Sequence, residues 1–163
     1  KTTEQAVIEN DLKVQAAILS YGAFDIYKSS LEGFETSKNP FWLFSRSKAR
    51  GIFGNQYNAE KNSNMYQALS PIYNIPKRAD RVLPPQFFLV GSKDSLTTPA
   101  SVREYIEKLE SFDHKTEYWE YEDRSHAFLD SGSNFFLGSN FEEDAPQAID
   151  MIIDFLDRGF EEN

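Results

Sequence analysis

Strand patterns and helix patterns alternate along this chain of 163 residues, and that order constrains the fold more than any single motif. Val14–Tyr21 and Gln86–Gly91 are short apolar runs bounded by turn residues, as is typical of buried parallel strands. A third strand is predicted for Thr116–Tyr121, where residue types alternate. Helices are predicted over Pro99–Phe112 and Ala145–Phe160, which carry apolar residues at three- and four-residue steps. The chain is therefore predicted to be an α/β protein with parallel strands and helices packed on the sheet.

The region between the first two predicted strands has no regular period. Residues 26–70 mix aromatic, charged and small side chains, with short helices predicted only around Phe41–Phe53. An irregular segment of this length between core elements indicates an inserted flap. The tail of another helix is predicted over Thr3–Asn10. Because three strands make a thin sheet and Val14–Tyr21 is as apolar as an interior strand, the chain is predicted to be the second half of a larger domain.

Composition argues against several classes of partner. The net charge of -9, with no basic stripe to offset it, makes nucleic acid an unfavourable partner. No apolar run approaches the length of a membrane span. The chain has no cysteine and only two histidines, so neither disulfides nor a metal site is expected. The composition leaves the compartment open, with the cytoplasm favoured over secretion.

Three chemically interesting side chains follow the predicted strands. Asp25 follows the first, Asp94 the second and His126 the third. Ligands of open parallel sheets bind outside the carboxyl ends of the strands, and an imidazole beside a carboxylate can act as a general base. The spacing alone leaves open the alternative that Asp94 caps a turn and His126 is a polar loop residue. The other histidine, His114, is expected to be a solvated residue at a helix end.

A resemblance gives this pattern a more specific interpretation. The stretch from Ala68 to Phe128, "ALSPIYNIPKRADRVLPPQFFLVGSKDSLTTPASVREYIEKLESFDHKTEYWEYEDRSHAF", resembles the C-terminal half of α/β-hydrolase esterases and lipases. The motifs that carry the resemblance are "SP", "LPP" opening a strand, "G-x-x-D" closing it, and "SHAF" after the next strand. With Val14–Asp25 included, it covers nearly the whole chain, and the hormone-sensitive-lipase-like and acetyl- or feruloyl-esterase-like groups are the most similar.

The resemblance implies a partial α/β-hydrolase fold in three αβα layers, with residues 26–70 as a cap-like insertion. The family orders its triad as Ser, acid, His, which places the acid on Asp94 and the base on His126. Asp25 matches an aspartate that is usually structural, and it remains an alternative acid. The family's nucleophile motif, G-x-S-x-G, does not occur in residues 1–163. The serine is therefore expected on a preceding half of the same fold, and this chain alone is expected to be inactive.

Local serines are weaker candidates for the nucleophile. Ser125 neighbours His126, but adjacent side chains on an extended segment point apart. Ser45 and Lys48 form S-x-x-K, which lacks the partner motifs of the family that uses it. Ser92 and Ser95 flank Asp94 and are expected to satisfy the turn backbone.

The resemblance predicts a carboxylic ester hydrolase that acts on a small-molecule ester without a metal or organic cofactor. Phe41, Trp42 and Phe44 of the insertion are predicted to line its substrate pocket, with core packing as the alternative. Three other functions stay open: a non-catalytic relative that binds a ligand in the same pocket, a serine peptidase of the same fold, and an autonomous module in which Asp94 and His126 are coincidental.

Overall fold

The computed structural model describes most of the chain. It covers residues 13–36, 39, 42, 51–130, 132–134 and 139–161. The predicted helix tail at Thr3–Asn10, most of Phe41–Phe53, and the two predicted pocket residues Phe41 and Phe44 lie outside these ranges.

A three-stranded parallel sheet forms the centre of the fold. Its strands are β1 (Ala17–Ser20), β2 (Gln86–Gly91) and β3 (Thr116–Tyr121), in the order β1-β2-β3. All six residues of β2 are buried because this strand pairs on both sides. The predicted parallel sheet and the bounds of β2 and β3 are confirmed.

The first strand is shorter than its apolar run. The run predicts a strand over Val14–Tyr21, but pairing begins at Ala17, opposite Gln86. Two prolines directly precede β2, at positions 84 and 85, and proline has no N–H to donate to a ladder. Ala17 N donates to the carbonyl of Pro85 at 3.0 Å, and the ladder starts there. Within the described residues, β1 pairs only with β2.

Within the described ranges, four α-helices and several short elements surround the sheet. The α-helices are α1 (Ile26–Ser29), α2 (Ser63–Leu69), α3 (Pro99–Glu110) and α4 (Phe141–Glu161). A π-helical turn (Ser30–Phe34) follows α1, a 3-10 turn (Pro71–Tyr73) follows α2, and a small antiparallel pair, β4 (Ser133–Asn134) and β5 (Ser139–Asn140), precedes α4. The sequence predicted α3 and α4 with different ends, but it predicted neither α2 nor the β4–β5 pair. In α2 only Tyr66 is buried, so no apolar period marks that helix.

The core has one layer on each face of the sheet. Phe88 and Val90 of β2 pack with Val102, Ile106 and Leu109 of α3. The intervening residues of β2 point to the opposite face, as strand geometry requires. There Phe87 and Leu89 pack with Ala148 and Phe155 of α4 and with Phe128. The fold is thus α/β with helices on both faces of a parallel sheet.

Candidate active site

Two loops leave the carboxyl ends of neighbouring strands at the same level. Gly91, the last residue of β2, is in register with Tyr121, the last residue of β3. Asp94 lies in the loop after β2, and His126 lies in the loop after β3. Parallel pairing therefore brings together two residues that are separated by α3 and β3 in the sequence.

Asp94 and His126 form a hydrogen-bonded pair. Oδ2 of Asp94 lies 2.8 Å from Nδ1 of His126. The side chain of Asp94 has no exposed surface, whereas that of His126 is 26% exposed. Oδ1 of Asp94 accepts from the backbone N–H groups of Leu96 at 2.9 Å and Thr97 at 2.8 Å. An ionised carboxylate only accepts hydrogen bonds, so Nδ1 of His126 is the donor and Nε2 is left to accept a proton.

Backbone contacts hold the two loops together. Lys93 N donates to the carbonyl of Arg124 at 2.9 Å, and Ser92 N donates to that of Tyr121 at 2.9 Å. Ser92 Oγ accepts from Asp123 N at 2.9 Å, in agreement with the backbone role expected for this serine. The two loops form one connected unit, which fixes the distance between Asp94 and His126.

An ion pair attaches the histidine loop to α4. Nε of Arg124 lies 2.6 Å from Oδ1 of Asp144, whose side chain is 2% exposed, and the guanidinium lies 5.2 Å from the ring centroid of Tyr121. Asp144 lies in the first turn of α4, where acidic side chains are usually exposed. Asp144 is, however, four residues before Ala148, which packs in the core, so helical spacing places both on the buried face.

Tyr21 is a site residue that the sequence did not single out. It follows β1, and its ring centroid lies 5.0 Å from that of His126. Its hydroxyl donates to Oδ1 of Asp130 at 3.2 Å. These contacts join residues far apart in sequence, so no local pattern signals them.

The Tyr21 phenol should titrate late. Burial raises its pKa to about 12, and the nearby Asp130 carboxylate adds to the effect. Because the folded state holds the phenolic proton more tightly, its contribution to stability is complete below about pH 10, the ordinary phenol pKa. That contribution is lost as the pH rises through about 12. We expect the near-ultraviolet titration of the wild-type tyrosines to contain one ionisation step near pH 12 that is absent from Tyr21→Phe. A difference curve with its midpoint at the ordinary phenol pKa would contradict this.

Asp25 and His114 are hydrogen-bonded to groups outside the Asp94–His126 pair. Oδ1 of Asp25 caps α1 by accepting from Lys28 N at 2.8 Å, and Tyr73 donates to its Oδ2 at 3.3 Å. The structure thus brings Asp94, and not Asp25, to His126. The expectation that His114 is solvated is wrong: it is 4% exposed. Its Nε2 lies 2.7 Å from the carbonyl of Pro76, because the segment before β2 folds over the end of α3.

A largely apolar cavity of about 260 Å³ opens beside His126. It is lined by Tyr21, Ala23, Ile26, Ser29, Ser30, Phe34, Ile52, Leu96, Thr97 and His126. Of the predicted pocket residues, Trp42 is described: it is buried and packs against Phe34, with ring centroids 5.6 Å apart. The aromatic insertion therefore contacts the cavity wall through Trp42.

The described ranges contain neither a cluster of metal ligands nor a membrane-spanning helix. These residues contain no group of three or more side chains able to hold a metal ion. Among the helices described, none is both long and apolar enough to cross a membrane.

The architecture and the loops at its carboxyl edge define a partial α/β-hydrolase fold, and solved structures support this. An esterase of Thermogutta terrifontis, esterase 2, matches in its apo form with a TM-score of 0.53 and 18% identity over 90% of this chain and 42% of that one. The same esterase phosphonylated by sarin matches with a TM-score of 0.54 and 20% identity, over 88% and 43%. Its form phosphorylated by paraoxon gives 0.52 and 17%, over 88% and 39%.

Because the sequence identities are 20% or lower, these structural similarities show the fold alone. The chain spans about two fifths of the esterase structures that it matches. No protein-family profile and no curated protein matches the sequence.

Proposed function

We propose that this chain is the C-terminal part of a serine hydrolase that cleaves carboxylic esters, with Asp94 as the acid and His126 as the base of its triad. The observation that carries the proposal is the 2.8 Å contact between Asp94 Oδ2 and His126 Nδ1 beside the apolar cavity. A buried carboxylate next to a partly exposed imidazole is the arrangement that a general base requires. The esterase neighbours support the same reaction class.

In the proposed mechanism, a serine on a preceding segment attacks the ester carbonyl. Nε2 of His126 takes the proton from the serine hydroxyl and passes it to the leaving alcohol as the acyl–oxygen bond breaks. His126 then removes a proton from a water molecule as that water attacks the acyl-serine. His126 returns the proton to the serine oxygen as the acyl–serine bond breaks and the acid is released. Asp94 stays ionised throughout, holds the Nδ1–H tautomer and stabilises the imidazolium.

The proposal places the serine-bearing segment beside β1. Among the described residues, only β2 pairs with this strand. On the neighbouring helix α4, Ile149 and Ile153 lie one turn apart and are 42% and 49% exposed. An unpaired strand edge and exposed aliphatic side chains on a helix both fit the packing of a further strand and helix of the same fold. Residues 26–70 would then cover the cavity as a cap-like insertion.

A fluorophosphonate probe tests the proposed function. The intact protein should gain one adduct by mass, and peptide mapping should place it on a serine outside residues 1–163. Such probes react with activated serines, so the intact protein denatured before exposure is the control and should stay unlabelled. An intact, folded protein that gains no adduct would favour the non-catalytic ligand-binding relative. An adduct on Ser29 or Ser30, which line the cavity, would contradict the upstream nucleophile.

A further inference from the structure

The ring of Tyr21 packs against the His126 imidazole in a tilted arrangement. The two ring centroids are 5.0 Å apart, with an interplanar angle of 59°. Asp94 holds the imidazole at Nδ1, but one hydrogen bond leaves the ring free to rotate about it. A second contact with the ring restricts that rotation. Tyr21 is placed to supply it.

Tyr21 is itself held by three contacts. Its hydroxyl donates to Asp130 at 3.2 Å, and its ring forms a T-shaped pair with Phe128, with centroids 5.4 Å apart. Its backbone N–H donates to the carbonyl of Leu89 in β2 at 2.7 Å. Phe128 and Asp130 belong to the segment that follows His126. Tyr21 therefore joins the end of β1 to the loop that carries the histidine.

The backbone on both sides of this contact is in the left-handed region. Tyr21 has φ of 39° and Ala127, next to His126, has φ of 65°. Neither is glycine, so both conformations are unfavourable unless the surrounding contacts impose them. The ring contact between Tyr21 and His126 thus joins one of these two residues to the direct neighbour of the other.

We propose that Tyr21, tethered by Asp130, is a positioning residue for His126. The ring keeps the imidazole plane oriented so that Nδ1 stays on Asp94 and Nε2 stays free to accept a proton. This inference rests on the proposed function for its catalytic meaning. The orientation itself is a property of the folded chain and can be measured without any turnover.

The test is the tautomer of His126, read from nitrogen chemical shifts by NMR at about pH 8.5, where an ordinary imidazole is neutral. The chain has two histidines, and a His126→Gln spectrum assigns the signals. The wild type should show a single Nδ1–H tautomer for His126. Tyr21→Leu should show a mixture of both tautomers, as an unconstrained imidazole does. In the intact protein the same variant should lower kcat about tenfold or more, because a misplaced catalytic group reacts slowly.

Tyr73 provides matched controls. Like Tyr21, it donates its hydroxyl to an aspartate, Asp25, but neither residue of this pair lines the cavity beside His126. Tyr73→Leu and Tyr73→Phe should leave the His126 spectrum unchanged. Tyr21→Phe keeps the ring and removes the tether, so it should show a smaller shift toward the mixture.

The outcomes separate this inference from the proposed function. If His126 keeps its wild-type spectrum in both Tyr21→Leu and Tyr21→Phe, the positioning role of Tyr21 is overturned, whether or not the protein hydrolyses esters. If the His126 spectrum changes in Tyr21→Leu but not in Tyr21→Phe, the part assigned to Asp130 is overturned. If Tyr21→Leu does not fold, Tyr21→Met takes its place, since methionine is also apolar and also lacks the ring, and a wild-type His126 spectrum in that variant overturns the inference. If the protein gains no probe adduct but His126 shows the predicted tautomers, only the proposed function is refuted.

Discussion

Asp94→Asn should lower kcat of the intact protein about 10⁴-fold, and His126→Ala should lower it about 10⁶-fold. The asparagine carbonyl can still accept from the N–H groups of Leu96 and Thr97, which now bond to Oδ1. Its amide then faces Nδ1 of His126 and donates to it. His126 must adopt the Nε2–H tautomer, which cannot take a proton from the serine. The fold should persist in both variants, because neither change removes apolar core packing.

The measurement is the initial rate of ester hydrolysis, with thermal unfolding followed on the same samples. His114→Gln is the matched control, since it alters the other histidine, which bonds to the carbonyl of Pro76 rather than to a carboxylate. Glutamine keeps an N–H donor there, so the control should retain turnover when assayed below its unfolding temperature. Near-normal turnover in Asp94→Asn or His126→Ala would refute the role proposed for that residue.

The sequence predicted the part of the fold that local signals specify. Strand β2 begins after two prolines and ends in a turn, and its bounds were correct. Strand β3 ends at Tyr121, before a polar segment. Strand β1 was predicted too long because its length depends on the start of its partner β2. Helix α2 was missed because Tyr66 is its only buried residue and leaves no apolar stripe.

The sequence also predicted which strand ends would meet at the candidate site. Topology brings Asp94 and His126 to one edge, and their contact follows from two loops of suitable length. Tyr21 was missed because its place beside His126 depends on tertiary contacts. The same holds for His114, whose burial depends on the segment around Pro76. The sequence thus located Asp94 and His126, the proposed acid and base, but not the side chains that contact them.

Gly91→Ala should reduce both stability and turnover, because the loop after β3 passes directly over Gly91. A Cβ at this position would lie 2.2 Å from the carbonyl oxygen of Arg124 and 2.8 Å from that of Ser125. No side chain can yield there, so the backbone must move. The carbonyl of Arg124 accepts from Lys93 N, the contact that links the two loops. We expect a loss of about 1–3 kcal/mol in the free energy of unfolding and about a 10²-fold fall in kcat.

Gly159→Ala is the matched control, since a Cβ added there meets nothing within 4 Å. It lies in α4, where alanine is favoured over glycine, so stability should stay equal or rise by up to about 1 kcal/mol. Urea denaturation and kcat, both measured on fully folded samples, distinguish the two effects of Gly91→Ala. If stability falls while kcat stays at the wild-type value, the Asp94–His126 distance does not depend on this close approach. If both fall, the glycine of G-x-x-D is required because it lets the loop that carries His126 pass within reach of the loop that carries Asp94.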